Sequence, residues 1–396
     1  MSEAVAFNFA RTRVGQFDLP AEVAALRESL PIAPMRYPSG RLGWVVTSHD
    51  LARQVLSDGR FTHSLAVGDI PSLHQGQPMP PMPQTPGMFL HMDPPDHTRY
   101  RKMLTGRFTV RRAQDAEPGL EAIVADGIKA LRAHGSPVDL VTAYARPVAT
   151  RTVCEILGIP YADRAHFEDF PEVAHNPDST MEQQGAMYFQ LHGYLHGLFG
   201  RKRAEPGDDL ISTLLTSGDV TDEELFNMVM LIYIAGVATT ESALGLSIFA
   251  LLRHPGQLAA LRADPALIGN GVDELLRYLT INHSEIFRTA TESVELGGVT
   301  VEEGQTVTVS LPAANRDPQK FAHPDDLDVT RTTSGHLAWG YGVHQCLGQN
   351  FARSLLVLSA SALITEFPDL DAAPEQAELR FDRSLFGLGS LPVTFS

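Results

Sequence analysis

Residues 221–253 constrain the fold of this chain more than any other part of its sequence. Thr221, followed three residues later by Glu224, forms a capping box that predicts the start of a helix, and His-Pro-Gly at residues 254–256 predicts its end. A helix of about 32 residues, at about 1.5 Å per residue, is long enough to cross most of a domain of this size. Because residues 228–238 are apolar on nearly all sides, we expect a core helix.

The rest of the pattern is largely helical. Strand-like alternation is concentrated at residues 294–311, where glycines mark turns, and near the end of the chain at residues 391–395. Residues 71–95 are rich in Pro, Met, Gln and Gly, which predicts a long irregular loop, and its Met and Phe content favours an adaptable apolar wall over plain disorder. The sequence thus predicts a mainly α fold with a small β region. We expect one domain over residues 1–396, since no internal repeat or linker-like tract divides the chain.

Composition narrows the class of protein. Of the 396 residues 43% are hydrophobic, and the formal net charge of −16 argues against a nucleic-acid partner, because phosphate binding needs a basic surface. The two cysteines, Cys154 and Cys346, provide no disulfide framework. The sequence shows no signal peptide and no run of 18 apolar residues, so we expect a cytoplasmic protein that is neither secreted nor inserted in a membrane.

Cys346 has the more unusual surroundings of the two cysteines. A Gly-x-Gly precedes it at residues 340–342 and Gly348 follows it, and glycines there let the backbone approach a flat ligand closely. The apolar run at residues 351–358 has helical spacing, which places Cys346 near a helix N-terminus, where the helix dipole and free N–H groups favour a thiolate. A free cysteine is more often a small buried hydrophobe, but these glycines predict a metal-bound thiolate.

Residues 339–348, Trp-Gly-Tyr-Gly-Val-His-Gln-Cys-Leu-Gly, resemble the haem-binding loop of the cytochrome P-450 family, with the His that bacterial members have two residues before the Cys. Trp339 replaces the usual Phe, which keeps an aromatic wall beside the sulfur. Other motifs extend the resemblance from Asp93 to residues 391–393. It implies the cytochrome P-450 fold, with haem b (iron protoporphyrin IX) between the long central helix and a cysteine-bearing loop and helix, and Cys346 as the axial iron ligand.

Within the predicted central helix, residues 235–240 read Ala-Gly-Val-Ala-Thr-Thr. Taken alone, these residues favour close packing of another helix, with Thr hydroxyls bonded to carbonyls one turn earlier. They resemble the family's oxygen-binding groove, which implies that Thr239 relays protons and that Gly236 opens space at the haem. Ala238 stands where the family usually has an acid and cannot carry a proton. Our hypothesis is that Glu241, three residues on and on roughly the same helix face as Ala238, takes its place.

A haem has two propionates that need cationic donors. Residues 93–101 resemble the family's Asp-Pro-Pro-Glu-His-x-x-x-Arg, with His97 and Arg101 four residues apart on one helix face, and Arg288 and His344 complete the family's set. Each alone is more often an exposed or core residue, but together they predict propionate binding. The haem contacts implied by the resemblance are His97, Arg101, Ala235, Gly236, Arg288, Trp339, His344, Cys346 and Gly348.

Glu274 and Arg277 are three residues apart on a predicted helix, which by itself indicates an ordinary surface ion pair. Upstream of the cysteine loop they resemble the family's structural Glu-x-x-Arg, which implies that they hold the fold around that loop. Asp326 stands where the family often has an Arg, so the third member of the network stays open.

The resemblance also indicates which segments face the substrate. Most of their residues are apolar, while Asn282, His283 and Glu285 add polar anchors, so we expect a functionalised aromatic compound, peptide or polyketide rather than a hydrocarbon. For His283 a structural hydrogen bond is the alternative. The predicted substrate contacts are Met82, Met88, Phe89, Ile232, Val237, His283, Ile286 and Phe386.

The function implied is a haem-thiolate monooxygenase that hydroxylates or otherwise oxidises a small molecule, with dioxygen and with electrons from a ferredoxin and its reductase. We expect a monomer. A basic cluster of Lys102, Arg107, Arg111 and Arg112 is either a solvated helix face or a docking patch for the acidic electron donor. Because Ala238 carries no proton, peroxide-dependent oxidation or phenol and aryl coupling without oxygen insertion stays open, as does a haem sensor or carrier without turnover.

Overall fold

The computed structural model describes residues 4–6, 15–71, 73–74, 77–176, 178–283, 286–381 and 385–396. Helices predominate in this part of the chain. They are α1 (Ala21–Ser29), α2 (His49–Ser57), α3 (Asp96–Thr105), α4 (Val110–Asp115), α5 (Glu117–His134), α6 (Arg146–Leu157), α7 (Phe170–His175), α8 (Met181–Ala204), α9 (Leu210–Ser217), α10 (Asp222–Arg253), α11 (Pro255–Ala263), α12 (Ile268–Leu279), α13 (Leu311–Ala314) and α14 (Gln349–Glu366).

The strands are short and form a small β region, as predicted. They are β1 (Val5–Ala6), β2 (Ile32–Arg36), β3 (Leu42–Val46), β4 (Phe61–Thr62), β5 (Leu73–His74), β6 (Gln77–Pro78), β7 (Val138–Asp139), β8 (Phe287–Ala290), β9 (Val294–Leu296), β10 (Val299–Val301), β11 (Thr306–Val309), β12 (Asp371–Ala372), β13 (Glu378–Arg380), β14 (Gly387–Ser390) and β15 (Pro392–Thr394). The largest sheet has the order β1-β2-β3-β11-β8-β4, in which β8 pairs antiparallel with both β11 and β4.

The central helix forms as the sequence predicts. Thr221 caps α10 by accepting from the N–H of Glu224 at 3.1 Å, and the Glu224 carboxylate accepts from the N–H of Thr221 at 2.8 Å. In the described part of the chain, α10 is the one helix that is long and apolar enough to cross a membrane. It packs against α6, α12 and α14, which is the position of a core helix.

Two hydrophobic clusters pack against successive parts of α10. Residues 225–237 pack with α8 and α9, and residues 243–251 pack with α5, α12 and α14. Residues 238–242 belong to neither cluster, because they are small or polar. This part of the central helix overlaps, at residues 238–240, the segment that resembles the oxygen-binding groove.

Candidate active site

The Cys346 loop is fixed by its backbone. The N–H of Cys346 donates to the carbonyl of Trp339 at 2.8 Å. Gly340 and Gly342 have φ of +70° and +77°, and a Cβ on Gly342 would lie 2.4 Å from the carbonyl oxygen of Leu56 in α2. Glycine at residue 342 therefore allows the loop to lie directly against α2.

Cys346 lies just before α14, and the residue is exposed. Protein nevertheless surrounds it closely, so burial raises the pKa of the thiol, while the backbone N–H groups of Gly348 and Gln349 and the guanidinium of Arg101 lower that pKa. Cys154 is fully buried, and burial raises the pKa of its thiol to about 12. Cys154 is thus the small buried hydrophobe, and Cys346 is the cysteine suited to bind a metal as a thiolate.

Glu274 and Arg277 of α12 form a bidentate ion pair with N–O distances of 2.7 and 2.8 Å, and neither side chain is exposed. Arg331 joins them, because its Nε donates to Glu274 at 3.0 Å. The position that the sequence left open is therefore filled by Arg331, while Asp326 contributes its backbone carbonyl to both arginines.

Arg277 connects this cluster to the cysteine loop. All five of its N–H donors are used, two on Glu274 and three on backbone carbonyls, one of which belongs to Asn315. The side-chain oxygen of Asn315 accepts from the N–H of Leu337 at 2.6 Å. The ion pair thereby fixes the chain two residues before Trp339, where the cysteine loop begins.

The predicted propionate donors come together in the structure. The rings of His97 and His344 have centroids 4.2 Å apart, and Arg101 donates to the carbonyl of Gln345 at 2.9 Å. Arg288 is 4% exposed and lies close enough to both imidazoles to lower their pKa. These residues form a donor-rich region beside Cys346.

No carboxylate of the described residues forms an ion pair with the arginines of this region. Burial, followed by neighbouring cationic side chains, lowers the pKa of His97 to about 4 and that of His344 to about 2, so both rings are neutral at neutral pH. Burial lowers the pKa of Arg288 to about 10, against the charge of Asp93. Among the described residues, neither Arg101 nor Arg288 forms an ion pair with a carboxylate. The region is suited to bind an anion.

Ala235 and Thr239 lie one turn apart on the same face of α10. The Thr239 hydroxyl donates to the carbonyl of Ala235 at 2.5 Å, as threonine does within helices. Ala235 is exposed although it lies in the middle of a core helix. This face of α10 is therefore accessible at the residues for which the sequence predicts haem contact and proton relay.

Gly236 does not match its prediction. A Cβ at this position would lie 2.7 Å from Cγ2 of Val153 in α6, so the glycine lets α10 and α6 pack closely. The structure thus favours the packing interpretation of Gly236 over one in which it opens space at the haem.

Glu241 lies on the predicted face of α10, but an arginine binds it there. It shares a cavity of about 560 Å³ with Ala238 and Val237, bounded by α6, α7, α10 and the β13–β14 hairpin. Its carboxylate accepts two hydrogen bonds from Arg146, both at 3.0 Å. Since residues two apart on an α-helix differ by about 200° around its axis, Glu241 and Thr239 lie on opposite faces. Glu241 and Ala238 share one face of α10, as predicted, but the Glu241 side chain points away from Thr239.

The predicted substrate contacts divide into buried and half-buried side chains. Phe89 is buried and stacks on Tyr100, with ring centroids 6.5 Å apart. Phe386 is 1% exposed and stacks on His283 at 5.0 Å. Glu285 lies outside the described residues. The half-buried side chains are Met82, Met88, Ile232, His283 and Ile286.

The comparison with known proteins decides the family. A family model for cytochrome P450 matches residues 190–396, which include α10, the Glu274–Arg277 pair and the cysteine loop. The chain belongs to the cytochrome P450 family. Cytochrome P450 105C1 of a Streptomyces species is 40% identical to it over 398 residues and covers 100% of both chains.

Two further proteins extend the comparison. Vitamin D3 dihydroxylase of Streptomyces griseolus is 37% identical to this P450, with 98% of this chain and 96% of the relative covered. CYP105P1, solved in complex with filipin I, is 38% identical with a TM-score of 0.92 and covers 100% of this chain and 99% of its own. The predicted fold and enzyme class are confirmed: the chain is a bacterial P450 monooxygenase of the CYP105 family.

Membership of the P450 family implies haem, and the site fits this cofactor. Cys346 offers a sulfur with neighbouring N–H donors, and a Cβ on Gly348 would meet no protein atom within 4 Å, so a flat ligand can approach the backbone. Among the described residues, Nε2 of His97 is buried without a hydrogen-bond partner, and the nearby guanidiniums of Arg101 and Arg288 bind backbone carbonyls but no carboxylate. An iron centre with a flat ring and two carboxylates satisfies all of these groups.

Sequence reasoning missed several residues of the site. Arg331 carries a weak signal, because it is the first arginine after the acidic segment 325–328. Asn315 lies in the segment 314–318, which resembles bacterial members of the family, but its role depends on contacts with α12 and with Leu337 that the sequence does not show. His63 and His91 carry no signal, although the ring of His63 lies against that of the predicted donor His344 and the ring of His91 lies against that of His63.

Proposed function

We propose that this P450 inserts oxygen into a small functionalised natural product, with dioxygen and with electrons from a ferredoxin and its reductase. The observation that carries the proposal is the position of Cys346, which lies exposed directly before α14, with its N–H fixed on the Trp339 carbonyl and open space at Gly348. Haem held by a cysteine thiolate supplies the activation of dioxygen. The expectation of a monomer in the cytoplasm is part of the same proposal.

The carbon monoxide difference spectrum of the reduced protein tests the ligand. We expect the band of thiolate-ligated haem in the wild type and in Cys154→Ala, and its loss in Cys346→Ala. Turnover under labelled dioxygen then tests the reaction, because oxygen insertion transfers the label to the product. Bound haem that never turns over would instead support a sensor or carrier.

Thr239 is the proposed proton relay. Its hydroxyl lies on the accessible face of α10 and donates to the Ala235 carbonyl, so Oγ1 holds a proton that can be redirected to the reacting oxygen. Thr239→Val keeps the shape of the side chain and removes the hydroxyl, and Thr240→Val is the matched control on a buried neighbour. We expect less product per electron consumed, and more peroxide released, in the Thr239 variant alone.

Glu241 is proposed as an indirect proton source. It lines the same cavity as Ala238 on the far side of α10, so protons reach the helix through this cavity rather than by contact with Thr239. Glu241→Gln is compared with Arg380→Gln, which alters the same cavity. We expect the Glu241 variant to lower product formed per electron and to change the solvent isotope effect. If both quantities stay at the wild-type value, Glu241 has no part in proton delivery.

A second candidate reaction is favoured by Ala238. Since this side chain cannot carry a proton, a weak relay suits peroxide-dependent oxidation or coupling of phenols without oxygen insertion. Coupling leaves no label from dioxygen in the product, and a peroxide-dependent enzyme turns over without ferredoxin. The labelling experiment therefore distinguishes both from the main proposal.

Two observations support the proposed class of substrate: the side chains predicted to contact it, and the compounds named for related proteins. The predicted contacts combine half-buried apolar side chains with the stacked rings of His283 and Phe386, and relatives of this chain act on vitamin D3 or bind filipin I. A screen of natural products for displacement of the iron-bound water identifies ligands directly. We expect hits among large apolar compounds that carry polar groups.

The electron donor is proposed to dock on the basic cluster of α3 and α4. Lys102, Arg111 and Arg112 are exposed, whereas Arg107 is bound to Asp208 at 2.6 Å. An acidic ferredoxin is attracted to such a surface at low salt.

A further inference from the structure

The pairing of β4 with β8 fixes the position of His63. Phe61 pairs with Ala290 and Thr62 with Thr289, so the antiparallel register brings the next residue, His63, level with Arg288. The Asp93 carboxylate accepts from the Thr62 hydroxyl and, at 3.1 Å, from the backbone N–H of His63. The backbone of His63 is therefore held between β8 and the start of α3, where the predicted haem donors lie.

The ring of His63 belongs to a connected group of imidazoles. It is 3% exposed, and its centroid lies 5.0 Å from the rings of both His91 and His344. His344 in turn lies 4.2 Å from His97, which the family resemblance assigns to a propionate. His63 thus extends the predicted donor set by one ring.

Among the described residues, neither Nδ1 nor Nε2 of His63 makes a hydrogen bond of normal geometry, although the Leu90 backbone lies close enough to raise the pKa of the ring. Burial and the charge of Arg288 lower that pKa well below its usual value, so the ring is neutral and carries one N–H. A buried N–H without a partner is costly and is expected where a ligand supplies the acceptor.

The surroundings indicate an anionic acceptor. Arg288 lies level with His63, and among the described residues it forms no ion pair with a carboxylate. The same part of the chain contains no group of three or more His, Cys, Asp and Glu side chains that could hold a metal ion. A carboxylate can accept hydrogen bonds both from the Arg288 guanidinium and from the ring N–H of His63.

We propose that His63 donates a hydrogen bond to a haem carboxylate, as a donor beyond the set of Arg101, Arg288, His97 and His344. The proposal rests on haem binding, which the carbon monoxide spectrum establishes separately. The alternative is that His63 only packs, edge to face, against its aromatic neighbours, including Phe287 at 5.7 Å.

Two substitutions separate donation from packing. His63→Phe keeps a ring and removes the N–H, while His63→Gln keeps an N–H donor and removes the ring. His192→Phe, on the exposed surface of α8, is the matched control. Each holoprotein is mixed with apomyoglobin, and the rate of haem transfer is measured. The carboxylate stretching bands of haem labelled with carbon-13 in its propionates are recorded in the same variants.

We expect haem to leave His63→Phe about tenfold faster than the wild type or more, with one carboxylate band shifted, because a hydrogen bond to a charged group is lost. His63→Gln should release haem at nearly the wild-type rate and keep the wild-type carboxylate band. His192→Phe should match the wild type in both measurements. Wild-type transfer rates and bands in His63→Phe would overturn the proposal. Equal haem loss in the Phe and Gln variants with unshifted bands would also overturn it and assign a packing role. If one of the two His63 variants yields no holoprotein, the carboxylate bands of the other variant are compared with those of the wild type.

Discussion

Two buried groups of charged side chains differ in how far the protein itself satisfies them. In the cluster of Glu274, Arg277 and Arg331, Arg277 places all five N–H donors on a carboxylate or on backbone carbonyls. In the region of Arg101 and Arg288, the described residues supply no carboxylate partner, and several nearby imidazole nitrogens have no partner either. The first group is complete within the protein, and the second is complete only with an anion.

This difference separates residues whose contacts serve the P450 fold from residues that we propose to hold its cofactor. A buried charge with all its bonds made resists change, because removing one partner leaves the others uncompensated. A buried charged side chain with unsatisfied hydrogen-bond donors lowers the stability of the protein. Such a side chain is found where a ligand supplies the missing acceptors. Burial alone does not distinguish the two, since Arg277 and Arg288 are both buried.

Breaking the complete cluster should have the largest effect. Glu274→Gln leaves Arg277 and Arg331 without their counter-charge, and we expect a loss of about 3–5 kcal/mol in the free energy of unfolding, measured with urea. The control is Asp273→Asn, which removes the partly exposed ion pair with Arg353 and should cost less than about 1 kcal/mol. Equal losses in the two variants would contradict the distinction between the groups.

Removing a charge from the incomplete group should have a smaller and different effect. Arg288→Leu removes an unpaired buried cation, so we expect the haem-free protein to be at least as stable as the wild type in thermal unfolding. Haem release to apomyoglobin should be about 10–100-fold faster, because a charge-assisted hydrogen bond to the cofactor is lost. A haem-free protein as unstable as the Glu274 variant would show that Arg288 serves the fold instead.

The smallest effect is expected at Glu224, which is fully bonded but near solvent. Arg99, at 2.6 Å, and Tyr100, at 2.7 Å, donate to its carboxylate, and the Arg99 hydrogen bond is the main cause that lowers its pKa from 4.5 to about 2. Because the folded pKa is depressed, the stabilisation is complete above about pH 5 and is lost as the pH falls towards 2.

Glu224→Gln removes this contribution. We expect it to lower the free energy of unfolding by about 1–2 kcal/mol at pH 7, less than the full pKa shift implies because solvent screens the group. The difference from the wild type should shrink as the pH is lowered from 5 to 3. A difference that is constant over this range would mean that the loss comes from packing and not from charge.

Much of the fold could be predicted because its signals are local. The start of α10 depends on Thr221 and Glu224, which lie within one helical turn, and both hydrogen bonds of the predicted capping box form. The turn before Cys346 likewise depends on Gly340 and Gly342, whose positive φ values favour glycine. In each case the residues that decide the structure are neighbours in the sequence.

The parts that could not be predicted depend on distant partners. Helical periodicity places Glu241 on the face of Ala238, but it does not reveal that Arg146 of α6 binds the carboxylate. In the same way the pattern marks Gly236 as small without showing that Val153 requires it to be small. Arg331 could not be assigned to Glu274 because the two are separated by 57 residues.

The proposed cofactor donors come from segments around residues 63, 97–101, 288 and 344, which are brought together by the pairing of β4 with β8 and by the packing of the cysteine loop on α2. No isolated piece of the chain contains the whole set, so haem recognises the finished native state. By mass action, a ligand of this kind adds its binding free energy to that state alone. The amount of this enzyme that escapes proteolysis in the cell should therefore follow the supply of haem during synthesis.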